Sequence, residues 1–391
     1  MTNWPTKKLG EICQIRTGKK DVDEGNPSGN YPFFSCSREQ NFSDSYSFDT
    51  EAILIAGNGD VGNTKIYKGK FEAYQRTYVL DKFEGGIKYI YYYLISNLKK
   101  ILVRSKSGST MPYIKKGDLE NLEIPLPPLP IQQKIVKILD TIQSAVEIQE
   151  KIIGKTKELK KSLMAELFKY GASSFRKGRK LKKTEIGEIP EDWEVVRLGD
   201  KKLFEIKLGG TPKTSVSDYW NGEIPWITPN DLSELTTPYI EDTQRKISTS
   251  GLKAGSTLLP ENSIILSTRA PIGYVALLRR PMAFNQGCKG IVIKDKSVIS
   301  LFLYYFLLSK AKLLQELGTG STFKELATSD LENFQIPLPP LPEQREIAEI
   351  LQTIDQKIEI EQKKKTLYEE LFRTMLNKIM SQEIDVEKIE L

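Results

Sequence analysis

The sequence predicts an α/β (α+β) protein: two globular domains joined by two long helices that form an antiparallel coiled coil, with an internal pseudo-twofold repeat. Three observations carry this. The string Ile124-Pro-Leu-Pro-Pro-Leu-Pro130 returns as Ile336-Pro-Leu-Pro-Pro-Leu-Pro342, 212 residues later. A long run of helical apolar spacing follows each copy. The segment before each copy mixes short β-like runs with Gly, Ser and Asn turns.

The repeat extends well beyond the proline strings, and period detection of this kind precedes any other assignment. Ser107-Gly-Ser-Thr110 faces Thr319-Gly-Ser-Thr322, and Asp118-Leu-Glu-Asn121 faces Asp330-Leu-Glu-Asn333. Tyr92-Tyr93 faces Tyr304-Tyr305, while Gly62 and Gln75 face Gly273 and Gln286 at an offset of 211. The units open in parallel, with Trp4…Leu9-Gly10 against Trp193…Leu198-Gly199 at an offset of 189. The second unit therefore holds 23 extra residues, nearly all before Gly273, including Gly209-Gly-Thr-Pro212 and Ile224-Pro-Trp-Ile-Thr-Pro229. Chance similarity of proline-rich strings does not produce ordered matches at a nearly constant offset. The repeat sets the domain boundaries at 1–123 for the first globular domain and 124–183 for the central helical region. The second globular domain takes 184–335 and the distal helical region 336–391.

Each element has a local reason. Ala52–Ala56, Tyr78–Leu80, Ser263–Ser267 and Gly290–Ile293 are short apolar runs bounded by turn residues, hence strands. Ile87–Ile95 and Val298–Leu308 are buried helices, only about half the roughly 20 residues needed to span a bilayer. The proline string cannot be helical inside, so it is an extended lead-in whose last proline sits at a helix start. After it come Ile135, Ile138, Leu139, Ile142, Val146, Ile152, Ile153, Leu159, Leu163 and Leu167. The copy has Ile347, Ile350, Leu351, Ile354, Ile358, Leu367, Leu371 and Met375. This near-heptad stripe must be buried, and the other copy is its expected partner. From Pro130 to Tyr170 a straight helix would run about 60 Å, and Gly154 is where it would weaken or bend.

Composition excludes much chemistry. The 391 residues contain no histidine, so histidine-based nucleophilic triads, His-Glu-x-x-His metal sites and histidine-base nucleases are absent. Three separated cysteines without a C-x-x-C read as free thiols in a reducing compartment. Met1–Pro5 lacks the apolar core of a signal peptide, and the expectation is a cytoplasmic protein without membrane partners. Lys and Arg number 57 against 51 Asp and Glu, a net charge of +6 that permits a polyanionic partner.

Several motifs invite chemistry. Gly57-Asn-Gly-Asp-Val-Gly62 matches G-x-G-x-x-G, but the next eight residues are turn- and strand-like, and Asn63 stands where a P-loop needs lysine. A β-turn or hairpin loop is the better reading. Asp21-Val-Asp-Glu24 and Glu383…Asp385…Glu387 are not echoed in the other unit and read as solvated charges rather than a metal site. Arg176-Lys-Gly-Arg-Lys-Leu-Lys-Lys183 is a basic linker with a phosphate-contact option. The loops of the globular domains offer more. In the first they carry Lys19, Lys20, Arg38, Asn58, Lys65, Gln75, Arg76, Ser109, Thr110, Tyr113 and Lys115. In the second they carry Thr211, Lys213, Trp226, Thr228, Asn230, Arg269, Asn285, Gln286, Lys289, Ser321, Thr322 and Lys324. Arg and Lys suit phosphates or guanine, Asn and Gln suit adenine, and hydroxyls anchor the backbone. Doubled on a spacer, this set points to double-stranded DNA.

The chain resembles the specificity subunit of a Type I restriction–modification enzyme. The resemblance rests on the duplicated Ile-Pro-Leu-Pro-Pro-Leu-Pro followed by Gln132-Gln133 or Glu343-Gln344-Arg345. It rests also on Lys182-Lys-Thr-Glu-Ile-Gly-Glu-Ile-Pro-Glu-Asp-Trp193 with Leu198-Gly199, Gly209-Gly-Thr-Pro212, Ile224–Pro229, Asn285-Gln-Gly287 and the Lys161–Phe168 helix end. The first unit lacks Gly-Gly-Thr-Pro, and Tyr74-Gln-Arg76 replaces Asn-Gln-Gly, as two differently specific recognition domains should. The resemblance implies a non-catalytic DNA reader of a bipartite, asymmetric target, one half-site per domain, with the coiled coil setting the gap. It implies two modification (methyltransferase) subunits docked on the helices, together with restriction/translocase subunits. S-adenosylmethionine, ATP and Mg²⁺ would belong to those partners, with no cofactor held by this chain. Two alternatives stay open on sequence alone: an architectural coiled-coil adaptor, and a stand-alone DNA-acting enzyme using carboxylates and a metal.

Overall fold

The computed structural model describes residues 4–104, 113–269, 271–319 and 324–389, with the backbone alone at 101–104. It contains two compact units, one made of Met1–Ile148 and Lys364–Leu391, the other of Gln149–Lys363. Each unit thus holds one globular domain and a part of each long helix. The helices run from Leu129 to Tyr170 and from Leu341 to Met380, starting inside the proline strings where proline is tolerated.

The first unit is built on a six-stranded sheet in the order Gln14–Thr17, Thr77–Asp81, Phe48–Ala56, Thr64–Ala73, Tyr31–Phe34, Asn41–Ser43. Its neighbours are antiparallel except Tyr31–Phe34 on Thr64–Ala73, paired at Phe34↔Ala73. Alternation along the strands serves two cores. Ile53, Ile55 and Leu80 pack with Tyr89, Ile90, Leu94 and Leu98 of the helix Ile87–Arg104. Ala52, Leu54 and Val79 pack instead with Phe34, Phe48 and Phe71. The expected strand Ala52–Ala56 is the end of Phe48–Ala56, and Gly57–Asn63 is the hairpin loop joining it to Thr64–Ala73. Thr6–Lys8 pairs with Glu123–Pro125, so the proline string begins as a short strand.

In the second unit Phe204–Leu208, Cys288–Ile293, Ile264–Ser267, Val275–Leu278 and Tyr239–Ile240 form one sheet in that order. Lys246–Ile247, Trp220–Ile227, Met282–Phe284 and Thr257–Leu259 form another, which contains much of the extra sequence. The helix Ser300–Ser309 is apolar on every side because every side is covered: Phe302 through Leu307 are all buried. Phe168 of the first long helix meets the rings of Phe302 and Phe306 edge-on. Glu194–Arg197 pairs with Gln335–Leu338, repeating the closure seen in the first unit.

The long helices bury their stripe against each other and against the domains. In the first unit Ile135, Ile138 and Leu139 share a core with Leu376, Ile379 and Met380 as well as with the domain helix. In the second, Met164, Leu167 and Phe168 share a core with Ile347, Ala348 and Leu351. The helices are antiparallel there: Lys160 Nζ lies 2.6 Å from Asp355 Oδ1, and Ala172 N donates to Glu343 Oε1 at 3.1 Å. The stripe is narrower than its spacing suggests. Leu159, Leu367 and Leu371, expected to be buried, are exposed. Gly154 interrupts nothing, since the helix continues through it.

The glutamines after the proline strings tie strand to helix. Gln132 Nε2 donates to Pro127 O at 2.8 Å and Gln344 Nε2 to Pro339 O at 2.9 Å, each satisfying a carbonyl that proline-rich backbone leaves open. The basic run is not a solvated linker throughout. Arg176 bonds Gly171 O and Glu166, and Arg179 is buried in a double ion pair with Glu343 and Asp192.

Candidate nucleic-acid interface

In each unit the backbone gathers five separate segments. In the first, Tyr74 N donates to Phe34 O (2.9 Å), Gly57 N to Arg76 O (2.9 Å), Gln75 N to Lys20 O (2.9 Å) and Ile114 N to Gly57 O (2.8 Å). In the second, Asn285 N donates to Ile227 O (2.9 Å), Thr268 N to Gly287 O (2.8 Å), Gly210 N to Phe284 O (3.0 Å) and Leu326 N to Thr268 O (2.9 Å). Tyr74, Gly57 and Ile114 hold the repeat positions of Asn285, Thr268 and Leu326, so three of these bonds are the same bond made twice.

A glycine lets the first segment come close. A Cβ on Gly18 would stand 1.8 Å from Ala73 O, and one on Gly209 2.0 Å from Asn285 O. Only glycine permits such an approach. Beside each glycine the side chains differ. Lys20 sits by Gln75 and bonds Ser43 and Ser45, whereas Thr211 bonds Gln286 directly.

Most of the expected contact residues line these segments. Lys19, Arg38, Gln75, Arg76, Tyr113 and Lys115 are exposed in the first unit; Thr211, Lys213, Asn230, Gln286 and Lys324 are exposed in the second. Lys20, Asn58, Lys65, Thr228, Arg269 and Asn285 are half-buried. Arg38 is held by Asp60 at 2.7 Å, which keeps the Asp60 carboxyl below the usual range. Arg269 lies 3.7 Å from Glu325, and Asn285 Oδ1 accepts from Gly287 N at 2.9 Å. Thr228 caps a short helix through Asp231, and Asn230 donates to Glu234.

Two residues are elsewhere than expected. Trp226 is 3% exposed; its Nε1 donates to Gly210 O at 3.0 Å, and it supports the glycine segment from below. Lys289 is 4% exposed, with Nζ 2.5 Å from Leu326 O, and burial pushes its ammonium pKa down. In both cases the side chain satisfies a main-chain carbonyl, which a residue-type argument does not foresee. Ser109, Thr110, Ser321 and Thr322 lie outside the described residues.

Sequence reasoning missed Gly18, whose signal was a glycine after a strand and before two lysines. It also missed Arg245, whose guanidinium stacks 4.0 Å over the ring of Trp220 and 5.1 Å from that of Trp226. Among the described residues no group of three or more Cys, Asp or Glu side chains could hold a metal ion. No described helix is long and apolar enough to cross a membrane.

A duplicated α+β unit, each copy with its own loop frame and its share of two paired helices, is a fold met in solved proteins. The S subunit of a Type I restriction–modification system from M. genitalium superposes with a TM-score of 0.58 at 18% identity, over 96% of each chain. A chain from a structural study of complex assembly and conformational transition in the type I R-M system gives 0.63 at 19% identity, over 97% of this chain and 98% of that one. Among curated relatives, the MjaVIII specificity subunit of Methanocaldococcus jannaschii is 30% identical over 413 residues, covering 99% of this chain and 94% of its own. The MjaIX specificity subunit of the same organism is 40% identical over 200 residues, half of this chain and 46% of that one. The EcoDI specificity subunit of Escherichia coli is 28% identical over 88% of this chain and 80% of its own length. The profile of the Type I restriction modification DNA specificity domain matches residues 1–158 and 190–369. The chain belongs to that family.

Proposed function

We propose that this chain is the DNA-recognition subunit of a Type I restriction–modification complex, reading a bipartite, asymmetric target with one half-site per unit. The observation that carries this is the twice-made loop frame: the same backbone bonds hold the strand ends at Tyr74–Arg76 and Asn285–Gly287. The polar side chains on them differ, with Lys20 beside Gln75 in one unit and Thr211 bonded to Gln286 in the other. A constant scaffold with exchanged polar side chains is what two different base readers on one design require. The DNA contacts are assigned to the exposed and half-buried loop residues named above, including Arg269 and Asn285. The helices set the number of unspecified base pairs between the half-sites.

The chain itself performs no chemistry in this reading. Methyl transfer from S-adenosylmethionine and any ATP- and Mg²⁺-dependent cleavage belong to partner subunits, and the complex works on DNA in the cytoplasm. Two modification subunits dock on the long helices. Support for paired docking comes from exposed apolar side chains at repeat-related positions: Ile148 (54%) and Ile360 (52%), Leu159 (53%) and Leu371 (45%). Each unit holds one member of each pair, Ile148 with Leu371 in the first and Leu159 with Ile360 in the second. In the first unit a groove of about 970 Å³ reaches Ile148 along Leu129, Val136, Asp140 and Ala145.

The test is footprinting by the chain with its modification partner, on a target identified by comparing methylomes with and without the gene. Two protected half-sites with an indifferent gap are expected. One contiguous footprint, or none, overturns the reading; cleavage or methylation by the purified chain alone would instead favour an enzyme.

A further inference from the structure

Tyr78 and Lys289 occupy the same position of the repeat, one strand residue in each unit, and share no chemistry except a hydrogen-bond donor at the end of a long side chain. Tyr78 OH donates to Ile114 O at 2.8 Å. Lys289 Nζ donates to Leu326 O at 2.5 Å. Ile114 and Leu326 are themselves repeat partners, and their amides donate to Gly57 O and Thr268 O. One peptide segment in each unit is therefore held from both sides, by a backbone bond to one strand end and a side-chain bond from another strand.

The lysine is an expensive way to make that bond. It is buried with no carboxylate in hydrogen-bond contact among the described residues, and burying an ammonium costs much more than burying a phenol. A core that only needed filling would take leucine or methionine at this position. The presence of a donor on two such different side chains marks the carbonyl bond as the requirement the two units share. What it holds lies beside the loop frame. Lys115 comes directly after Ile114 and is exposed; Lys324 and Glu325 precede Leu326, with Glu325 3.7 Å from Arg269 and doubly bonded to Thr319.

We propose that Tyr78 and Lys289 are equivalent positioning residues: each clasps the segment around Ile114 or Leu326 onto the sheet and so sets where Lys115, or Lys324 and Arg269, meet DNA. The inference rests on the DNA-reading function above. Neither residue touches DNA itself, and each serves only the half-site of its own unit.

The experiment uses the full chain with its modification partner and the variants Tyr78→Phe, Lys289→Met and Lys289→Tyr. Affinity for each half-site is read by footprint titration, and amide exchange at Ile114 and Leu326 is read without DNA. Tyr78→Phe is expected to weaken one half-site about fivefold and Lys289→Met the other, the loss of one net hydrogen bond. Lys289→Tyr, which restores the donor without the charge, is expected to recover most of that loss. Exchange at the clasped amide is expected to rise about fivefold in Tyr78→Phe and Lys289→Met, with the melting temperature of Tyr78→Phe lowered by only about 2–4 °C. Unaltered exchange in both donor-less variants overturns the clasp. Equal loss at both half-sites, or Lys289→Tyr no better than Lys289→Met, overturns the positioning role. Raised exchange with no protection of DNA by the wild-type chain would keep the clasp and remove its DNA-reading purpose, so the two failures are distinguishable.

Discussion

Arg179 and Glu343 meet as a two-pronged ion pair in the second unit, Nη1 to Oε1 at 2.5 Å and Nη2 to Oε2 at 2.7 Å. The same carboxylate accepts from Trp193 Nε1 at 2.9 Å and from Ala172 N, and its exposure is 0%. Gly171, at φ +78°, ends the first long helix so tightly that a Cβ there would stand 2.2 Å from Glu343 Oε1. The repeat partner of Glu343 is Ile131, so the second unit uses a charge to lock helix end, linker and tryptophan together where the first has an apolar side chain.

Removing one partner of that pair leaves the other charge buried. Arg179→Met, which leaves the Glu343 carboxylate buried without its cation, is expected to destabilise the chain by about 3 kcal/mol. Glu343→Gln added to Arg179→Met removes the charge, keeps an acceptor for Trp193 and Ala172, and recovers most of the loss. Urea unfolding of the single and double variants measures both, and a double variant no better than the single one would argue against charge burial as the cause.

Asp192, on the other side of Arg179, is half in solvent, and the hydrogen bond from Arg179 holds its carboxyl below the usual aspartate range. A carboxyl depressed by folding adds stability that is present above its unfolded pKa, about 4, and disappears as pH falls through the folded value. Melting temperatures recorded from neutral to acid pH should therefore fall less steeply for Asp192→Asn than for wild type.

Gly18 and Gly209 stand against backbone carbonyls, where no side chain can move aside. Alanine at either is expected to cost about 2–3 kcal/mol through displaced strands. Each substitution should weaken the half-site of its own unit while sparing the other in a footprint. Equal loss at both half-sites would mean that the units do not read DNA separately.

Leu159 and Leu371 are exposed, so glutamate at either should leave the melting temperature within about 1 °C of wild type. Each is expected to remove one modification subunit from the complex, shifting native mass spectra from two partners per chain to one. Retention of both partners in the double variant would place docking elsewhere.

Shortening both long helices by one heptad is expected to change the number of base pairs between the half-sites and leave the half-sites themselves intact. Methylome sequencing of a host carrying the shortened gene reads both. Altered half-sites with a constant gap would count against the helices as a ruler.

Wherever a local rule was strong, the sequence was readable. Proline chemistry located the helix starts at Leu129 and Leu341 within a residue or two, and short apolar runs bounded by turn residues found the strands ending at Ala56 and Ser267. The fully apolar Phe302–Leu307 run announced a helix covered on all sides. The width of the helical stripe was not readable. Leu159 and Leu371 obey the spacing yet face solvent, because which flank of a stripe is covered depends on where the neighbouring helix lies.

The sequence by itself determined the duplication, the α+β class, the proline-led helices and the loops rich in polar side chains, because each comes from short-range rules or from self-comparison. Tertiary structure alone decided the roles within those loops. Lys289 and Trp226 have the composition of DNA contacts but are spent on the carbonyls of Leu326 and Gly210. Lys20 and Thr211 proved to be counterparts only when Gly18 and Gly209 were seen against the same strand end. A donor's role is set by whether a buried acceptor stands within about 3 Å, and that distance comes from segments far apart in the chain.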